Sequence, residues 1–490
     1  MKKRTLFSIA AALILVIATS AVLVGCSGTY TQDALADSPG ADAAVASNGG
    51  MAVMVGDWLY FINGYAGQDA ANEFGEVVKG AIMRVKYGQD GNPDLSTVQT
   101  VVAKNVYNTT ATSSLVVENG YIYFTTPNDE SDSDGNAKTS EMVLMRATLD
   151  GSKVETIAEF SDYTATYRVS DNFVVYRNSS SELRLIDLNS KRFTDTLIDE
   201  GVSSITLAPY SDGANSMEDV VFYTKSSDNA YDTHNIVYAY KAGGGVKEVI
   251  NGRDSYPSES LPHAGGYSIT LVGVRFEGEG VRLQYTKTDS GTNTKSTGVY
   301  SYYFDTALNF DSASEVRYTV GTTYTSLWYL DADNILAVDS DSVDYIFASD
   351  SAATGWEVRR NVIQVSSATI VDATMTAGPS GEVELGIYYI NSSSVYRLAV
   401  TVNKSDPADL NYDSVELVFD SAYSSDWLTL DLVGNIVYFF NSDVLNNIYY
   451  VNLGEVNPRN ANSRIAKRLG TFSAEDIVEM LESIEDEEEE

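Results

Sequence analysis

The chain has 490 residues, of which 68 are acidic and 32 basic, for a formal charge of −36. That balance excludes nucleic-acid binding, which needs clustered Lys and Arg, and adhesion of the protein surface to anionic lipid headgroups. A single cysteine and two histidines exclude an intrachain disulfide, a cysteine-ligated zinc site and a multi-histidine metal centre.

In chain order, Lys2, Lys3 and Arg4 precede an uncharged, mostly apolar run from Leu6 to Gly25. A basic start, an apolar core and small residues at the end predict a signal peptide over 1–25. The run closes on Leu23-Val24-Gly25-Cys26, and Cys26 is the only cysteine. This ending resembles the lipobox of bacterial lipoproteins. The resemblance implies lipid attachment at Cys26, cleavage after Gly25, and export to the extracytoplasmic side with the new N-terminus anchored in the bilayer. An uncleaved membrane helix or an ordinary cleavable signal are the other readings of the same run. Residues 26–50 are rich in Ser, Gly, Ala, Thr and Asp and predict a lipidated, flexible tether.

From residue 51 to 472 a strand pattern repeats. Its clearest unit runs Ser114-Leu115-Val116-Val117, the turn Glu118-Asn119-Gly120, Tyr121-Ile122-Tyr123-Phe124, a polar loop, and Val143-Leu144-Met145-Arg146. It ends with the turn Leu149-Asp150-Gly151-Ser152 and Val154-Glu155-Thr156-Ile157. Asn-Gly and Asp-Gly between apolar runs signal hairpins. The second strand recurs around Tyr60, Tyr123, Val175, Tyr223, Tyr285, Leu336, Tyr388 and Tyr438, at intervals of 48 to 63 residues. Closing strands are predicted at 98–102, 154–157, 193–197, 246–250, 315–320, 358–362, 415–419 and 465–469. Four strands per unit at a period near 50 predict an all-β fold, a β-propeller of eight four-stranded blades. Seven blades follow instead if 331–344 is irregular, and a pair of β-sandwich domains is the alternative architecture. The runs Trp58–Ile62 and Ile436–Phe440 are apolar throughout, as a sheet covered on both faces requires.

The run Leu144-Met145-Arg146-Ala147-Thr148-Leu149-Asp150-Gly151-Ser152 resembles the I-x-R-x-x-L-D-G-S turn of propellers like those of the low-density lipoprotein receptor. Ile82-Met83-Arg84-Val85 is a partial match. A similar propeller family of unknown function occurs in bacterial surface lipoproteins. The resemblance covers about residues 51–160 and implies an architecture, with no reaction attached. Later units lose the Arg and Asp-Gly-Ser landmarks.

One stretch has cation-binding spacing. Glu130, Asp132, Asp134, Gly135, Asn136 and Glu141 parallel an EF-hand calcium loop, with acidic residues at its first, third, fifth and twelfth positions. Calcium is the one cofactor the sequence suggests, and a solvated hairpin loop is the other reading. Asp331, Asp333, Asp339, Asp341 and Asp344 read as turn residues, and His234 and His263 as solvated loop histidines. Gly243-Gly244-Gly245 reads as a hairpin turn, since no Lys-Ser/Thr follows it. Residues 473–490 predict a short acidic helix and tail, with Ile477, Met480, Leu481 and Ile484 on one face.

The functional expectation is a binding or scaffold module at the cell envelope, with an envelope protein or glycan as partner and the bilayer holding its acylated end. Tyr-bearing loops at Asn63-Gly64-Tyr65 and 420–423 are the expected contact points. Two other readings are an enzyme acting on extracellular glycan or peptide through axial carboxylates, and a subunit of an envelope assembly complex. No catalytic residue is assigned, because no nucleophile elbow or zinc-protease helix is present.

Overall fold

Tyr, Val, Ile and Phe fill the repeat, and such side chains favour the pleated backbone over the helix. In the computed structural model, strands run from Tyr30 to Arg468, and the one helical element among the described residues is a 3-10 turn at Ser312–Ser314. The structure describes residues 30 to 469, apart from the segments 41–46, 65–79, 107–114, 128–141, 161–165, 208–216, 227–233, 253–266, 290–296, 365–368, 405–409, 421–429, 442–446, 456–463 and a few shorter breaks.

The fold is all-β, a β-propeller of eight four-stranded blades. Within each blade the strands follow chain order and pair antiparallel, as a meander. Two compact units are resolved by contact, one containing the first two blades and one containing the other six.

The first unit holds blade one (Ala52–Val55, Trp58–Ile62, Ile82–Tyr87, Pro93–Val102) and blade two (Leu115–Glu118, Tyr121–Pro127, Met142–Thr148, Lys153–Phe160). Trp58–Ile62 is buried at all five positions, as its unbroken apolar run predicts. Asn119 and Gly120 both have left-handed backbones, φ 52° and 76°, which is the two-residue hairpin turn their sequence signals. Two short upstream strands extend blade two to six strands: Tyr30–Thr31 at its fourth-strand edge and Ser47–Gly50 at its first-strand edge.

The second unit carries blades three to eight, whose second strands are Phe173–Arg177, Val220–Ser226, Gly280–Asp289, Asn334–Val338, Glu382–Asn391 and Ile436–Asn441. Successive blades share their apolar faces. Phe173 and Val175 pack with Val221 and Tyr223. Phe222 and Val237 pack with Leu283 and Phe304, and Val299 with Ile335 and Ile346. Tyr345 and Phe347 pack with Leu385 and Val400, and Val395 with Val437 and Phe439. Each fully buried aliphatic or aromatic side chain contributes about 1.5–3 kcal/mol, so face-to-face stacking holds these blades without a covalent link.

Residues 331–344, the stretch on which a seven-blade count would turn, form part of a regular blade: Ser326–Tyr329, Asn334–Val338, Val343–Ala348 and Trp356–Ile363. Its second strand carries Leu336 where most blades carry tyrosine; opposite it on the neighbouring strand, Tyr345 donates to Asn334 Oδ1.

One irregularity repeats. In blades one, two, three, four, six and seven the pairing of the third and fourth strands slips by one or more residues, as between Thr156 and Ala158 or opposite Val237 and Tyr238. Such bulges bend the strand and raise its twist.

Candidate functional site

The repeat aligns a polar position across three strands. In blade one Tyr60 lies opposite Arg84 and Arg84 opposite Gln99; in blade two Tyr123 lies opposite Arg146 and Arg146 opposite Glu155. Arg146 donates to Glu155 from Nε at 3.0 Å and Nη2 at 2.9 Å and stacks 4.2 Å from the Tyr121 ring. Burial pushes the Glu155 carboxyl up, but Lys153 and Arg146 outweigh it and hold it below the usual range. Burial also raises the Tyr123 hydroxyl to about 12, against the lowering influence of Arg146.

Arg84 has a different partner. It is fully buried and bonds Gln99 Oε1 from Nε (3.0 Å) and Nη2 (2.8 Å). Its remaining donors leave the blade. Nη2 reaches the Ala36 carbonyl and Nη1 the Ser38 hydroxyl, each at 2.6 Å, while the guanidinium lies 4.0 Å over the Trp58 ring. Trp58 Nε1 donates to the Asp37 carbonyl at 2.9 Å, Leu35 N–H to the Asp150 carbonyl at 2.9 Å, and Tyr60 OH to the Leu149 carbonyl at 2.8 Å. Residues 35–38 therefore form a strap across two blades. Within 26–50, the segment expected as a flexible tether, Tyr30–Thr31 is paired to the fourth strand of blade two, and 35–38 is bonded through its backbone. A backbone carbonyl accepts from Arg or Trp whatever its side chain, so a Ser- and Ala-rich segment docks without an apolar signature.

In the second unit, carboxylates are tied to tyrosine hydroxyls and cations. Asp199 accepts from Tyr223 OH and Lys225 Nζ, both at 2.8 Å. Burial works against its charge, and these donors together with the Glu200 N–H hold its carboxyl below the usual range. Glu315 accepts from Tyr285 OH and Lys287 Nζ, and Lys287 lies over the rings of Tyr267, Tyr285 and Tyr300. Asp344 is buried and accepts from Tyr324 OH at 2.5 Å, the Asn361 N–H at 2.7 Å and Arg360 at 3.3 Å. Burial first, then the adjacent carboxylates, raises the Tyr223, Tyr285 and Tyr324 hydroxyls, so at neutral pH these tyrosines are protonated donors and not bases.

A cleft of about 680 Å³ opens beside Asp199, lined by Leu197, Ile198, Asp199, Glu200, Gly201, Lys225 and Ser226. Leu197 is 42% exposed, beside exposed Glu200 and the partly exposed Lys225–Asp199 pair. Apolar and charged groups thus meet on one accessible surface. Sequence reasoning missed this cleft, because 193–197 reads only as a closing strand; the Asp199-Glu200-Gly201 turn was its one available signal.

The sequence-predicted residues fall as follows. Asp331 and Asp339 are turn residues: Asp331 Oδ1 accepts from the Asp333 N–H, and Asp339 Oδ1 from the Ser340 N–H. Asp344 departs from that expectation as a buried anchor. His234 departs too: it is 5% exposed, at the start of the third strand of blade four. Gly243–Gly245 forms the predicted hairpin, with Gly243 and Gly245 at φ 76° and 79°. Cys26, the calcium-loop residues Glu130, Asp132, Asp134, Asn136 and Glu141, Tyr65, His263 and the 473–490 segment lie outside the described residues. Among the described residues, no group of three His, Cys, Asp or Glu side chains is placed to hold a metal ion.

No family model matches the chain, and no curated protein matches it. Solved structures do. The β-propeller domain of Cps50 (Swd1) from Myceliophteria thermophila is 9% identical, with 71% of this chain and 99% of that one covered at a TM-score of 0.34. The periplasmic gluconolactonase of Pseudomonas aeruginosa is 12% identical, covering 84% and 96% at 0.34. Sqt1 of Saccharomyces cerevisiae is 8% identical, covering 71% and 82% at 0.36.

Proposed function

We propose that the protein is a lipid-anchored, extracytoplasmic β-propeller that serves as a binding or scaffold module at the cell envelope. The observation that carries the binding role is the cleft beside Asp199, where an exposed leucine adjoins a polar rim. Interfaces combine such an apolar centre with satisfied charges around it. The Asp199, Glu315 and Asp344 carboxylates are bonded to tyrosines and cations, which suits a rigid frame that presents surfaces. The anchoring role rests on the lipobox-like Leu23-Val24-Gly25-Cys26. The Leu-Asp-Gly-Ser turn agrees with a receptor-like propeller: Asp150 Oδ1 accepts from the Ser152 N–H, Ser152 Oγ and Thr148 Oγ1.

The partner is an envelope protein. Cross-linking in intact cells followed by pull-down tests this, with Leu197→Asp and Glu200→Lys as the paired variants. The expected result is a specific envelope protein captured by the native chain and lost in both variants. Capture that is unaffected by either change refutes the assignment of the cleft. Mass spectrometry of the mature N-terminus tests the anchor; an unmodified Cys26 refutes it.

A further inference from the structure

The strap fixes how far the propeller stands from its anchor. A tether free over its whole length would give the folded part a reach of about 80 Å at full extension, from 24 residues at about 3.3–3.6 Å each. The structure removes most of that length. Tyr30 pairs with Val154 and Thr31 with Lys153, so the chain is captured four positions after Cys26. Four extended steps span at most about 14 Å. The capture is reinforced downstream. The Leu35 N–H bonds the Asp150 carbonyl, Arg84 holds the Ala36 carbonyl and Ser38 hydroxyl, and Trp58 holds the Asp37 carbonyl.

A two-residue strand alone would fray readily. The Arg84 contacts make this one persistent, because they come from a fully buried guanidinium whose partners on its own blade, Gln99, Tyr60 and the Trp58 ring, are neutral. Without the strap, two of its donor contacts would be lost in a buried site. The strap and the blades therefore hold each other.

We propose that the outer edge of blade two's fourth strand at Lys153 and Val154 is the part of the protein held against the bilayer surface: the antiparallel register brings the chain to Tyr30 from the Phe160 end of that strand and carries it on toward the Thr148–Ser152 turn, which the strap covers. The protein then stands at a fixed short height instead of sweeping a leash-length volume. This inference rests on the lipid-anchor reading above. The occupant of this edge is the headgroup layer of the bilayer, because Tyr30, the first captured residue, follows Cys26 by four positions.

The test uses the full-length acylated protein in neutral phosphatidylcholine vesicles that contain a headgroup-quencher lipid. Acylation of Cys26 removes the chain's only thiol, so Lys153→Cys offers a single labelling position on the exposed edge. A second protein carries a Gly–Ser spacer between Thr29 and Tyr30. Quenching of the dye is expected to be strong in the first and to fall roughly threefold or more in the second, since about 20 such residues average about 25 Å end to end. Arg84→Met is expected to give an intermediate value without a spacer. Equal quenching in proteins that both float with vesicles overturns the fixed height and leaves the anchor intact. If neither floats and Cys26 is unmodified, the anchor reading fails and the inference falls with it.

Discussion

Replacing Arg84 by methionine should release the strap while leaving the blades folded. Methionine keeps an unbranched chain against Trp58 and removes every donor. Four hydrogen bonds disappear, two to Gln99 and two to the strap at Ala36 and Ser38. Bonds from a charged donor contribute about 1.5–3 kcal/mol each. For the strap this is a gross loss of about 3–6 kcal/mol. Ala36 is exposed, so its carbonyl regains water on release, and the net loss settles near the lower end, about 3 kcal/mol. At about 1.4 kcal/mol per decade, local opening of the strap should become about 150-fold more frequent. Hydrogen exchange read by mass spectrometry is the assay. The Leu35 amide, bonded to the Asp150 carbonyl, should lose protection by that factor, while the Ile82–Tyr87 amides keep theirs. Unchanged Leu35 protection would refute the claim that Arg84 clamps the strap. Loss of protection throughout blade one would refute the claim that the strap opens on its own.

Alkaline pH should destabilise the protein in a defined window. Burial raises Tyr123 and Tyr300 to about 12, so the native state keeps these protons while the unfolded chain loses them near 10. The native state then binds more protons, and stability falls as pH rises from about 10 to 12, by about 2.7 kcal/mol for each such tyrosine. Denaturant melts at stepped pH should show this slope, reduced in Tyr123→Phe; a flat profile would exclude it. Gly120→Val forces a β-branched side chain into a left-handed turn position at φ 76° and should cost about 2 kcal/mol, read as a lower denaturation midpoint. Asp344→Asn weakens the acceptor for Tyr324, Arg360 and the Asn361 N–H in a buried site and should cost about 3 kcal/mol; a loss below about 0.5 kcal/mol would show the knot to be dispensable.

The strand framework was legible in the sequence because it is written in side chains. Tyr60, Tyr123, Tyr223, Tyr285 and Tyr438 mark buried strands, and each predicted closing strand overlaps an observed fourth strand. The Asn119-Gly120 turn follows from local chemistry alone. The strap was not legible, because most of its bonds use backbone groups and its partner Arg84 lies 46 to 48 residues away. Nothing in Ser, Ala or Asp at 33–38 distinguishes a docked segment from a linker. The cleft beside Asp199 escaped for a related reason: Asp199 comes from blade three, and Tyr223 and Lys225 from blade four. Asp344 shows the reverse case, an acidic residue that looks like a turn former and is buried by a tyrosine twenty positions earlier.

The repeated slip in the fourth strands bears on how such a protein survives at high local concentration. Among the described residues, the fourth strand of each blade but the second pairs on one side alone, and a flat run of free N–H and C=O groups is a template on which another chain can zip. The bulges twist these strands out of flatness, and Thr194–Asp199 adds two aspartates to its rim. Blade two goes further, since Tyr30–Thr31 already occupies part of its free side. A protein crowded beside its own copies would thereby stay dispersed, by having few straight borders left to offer.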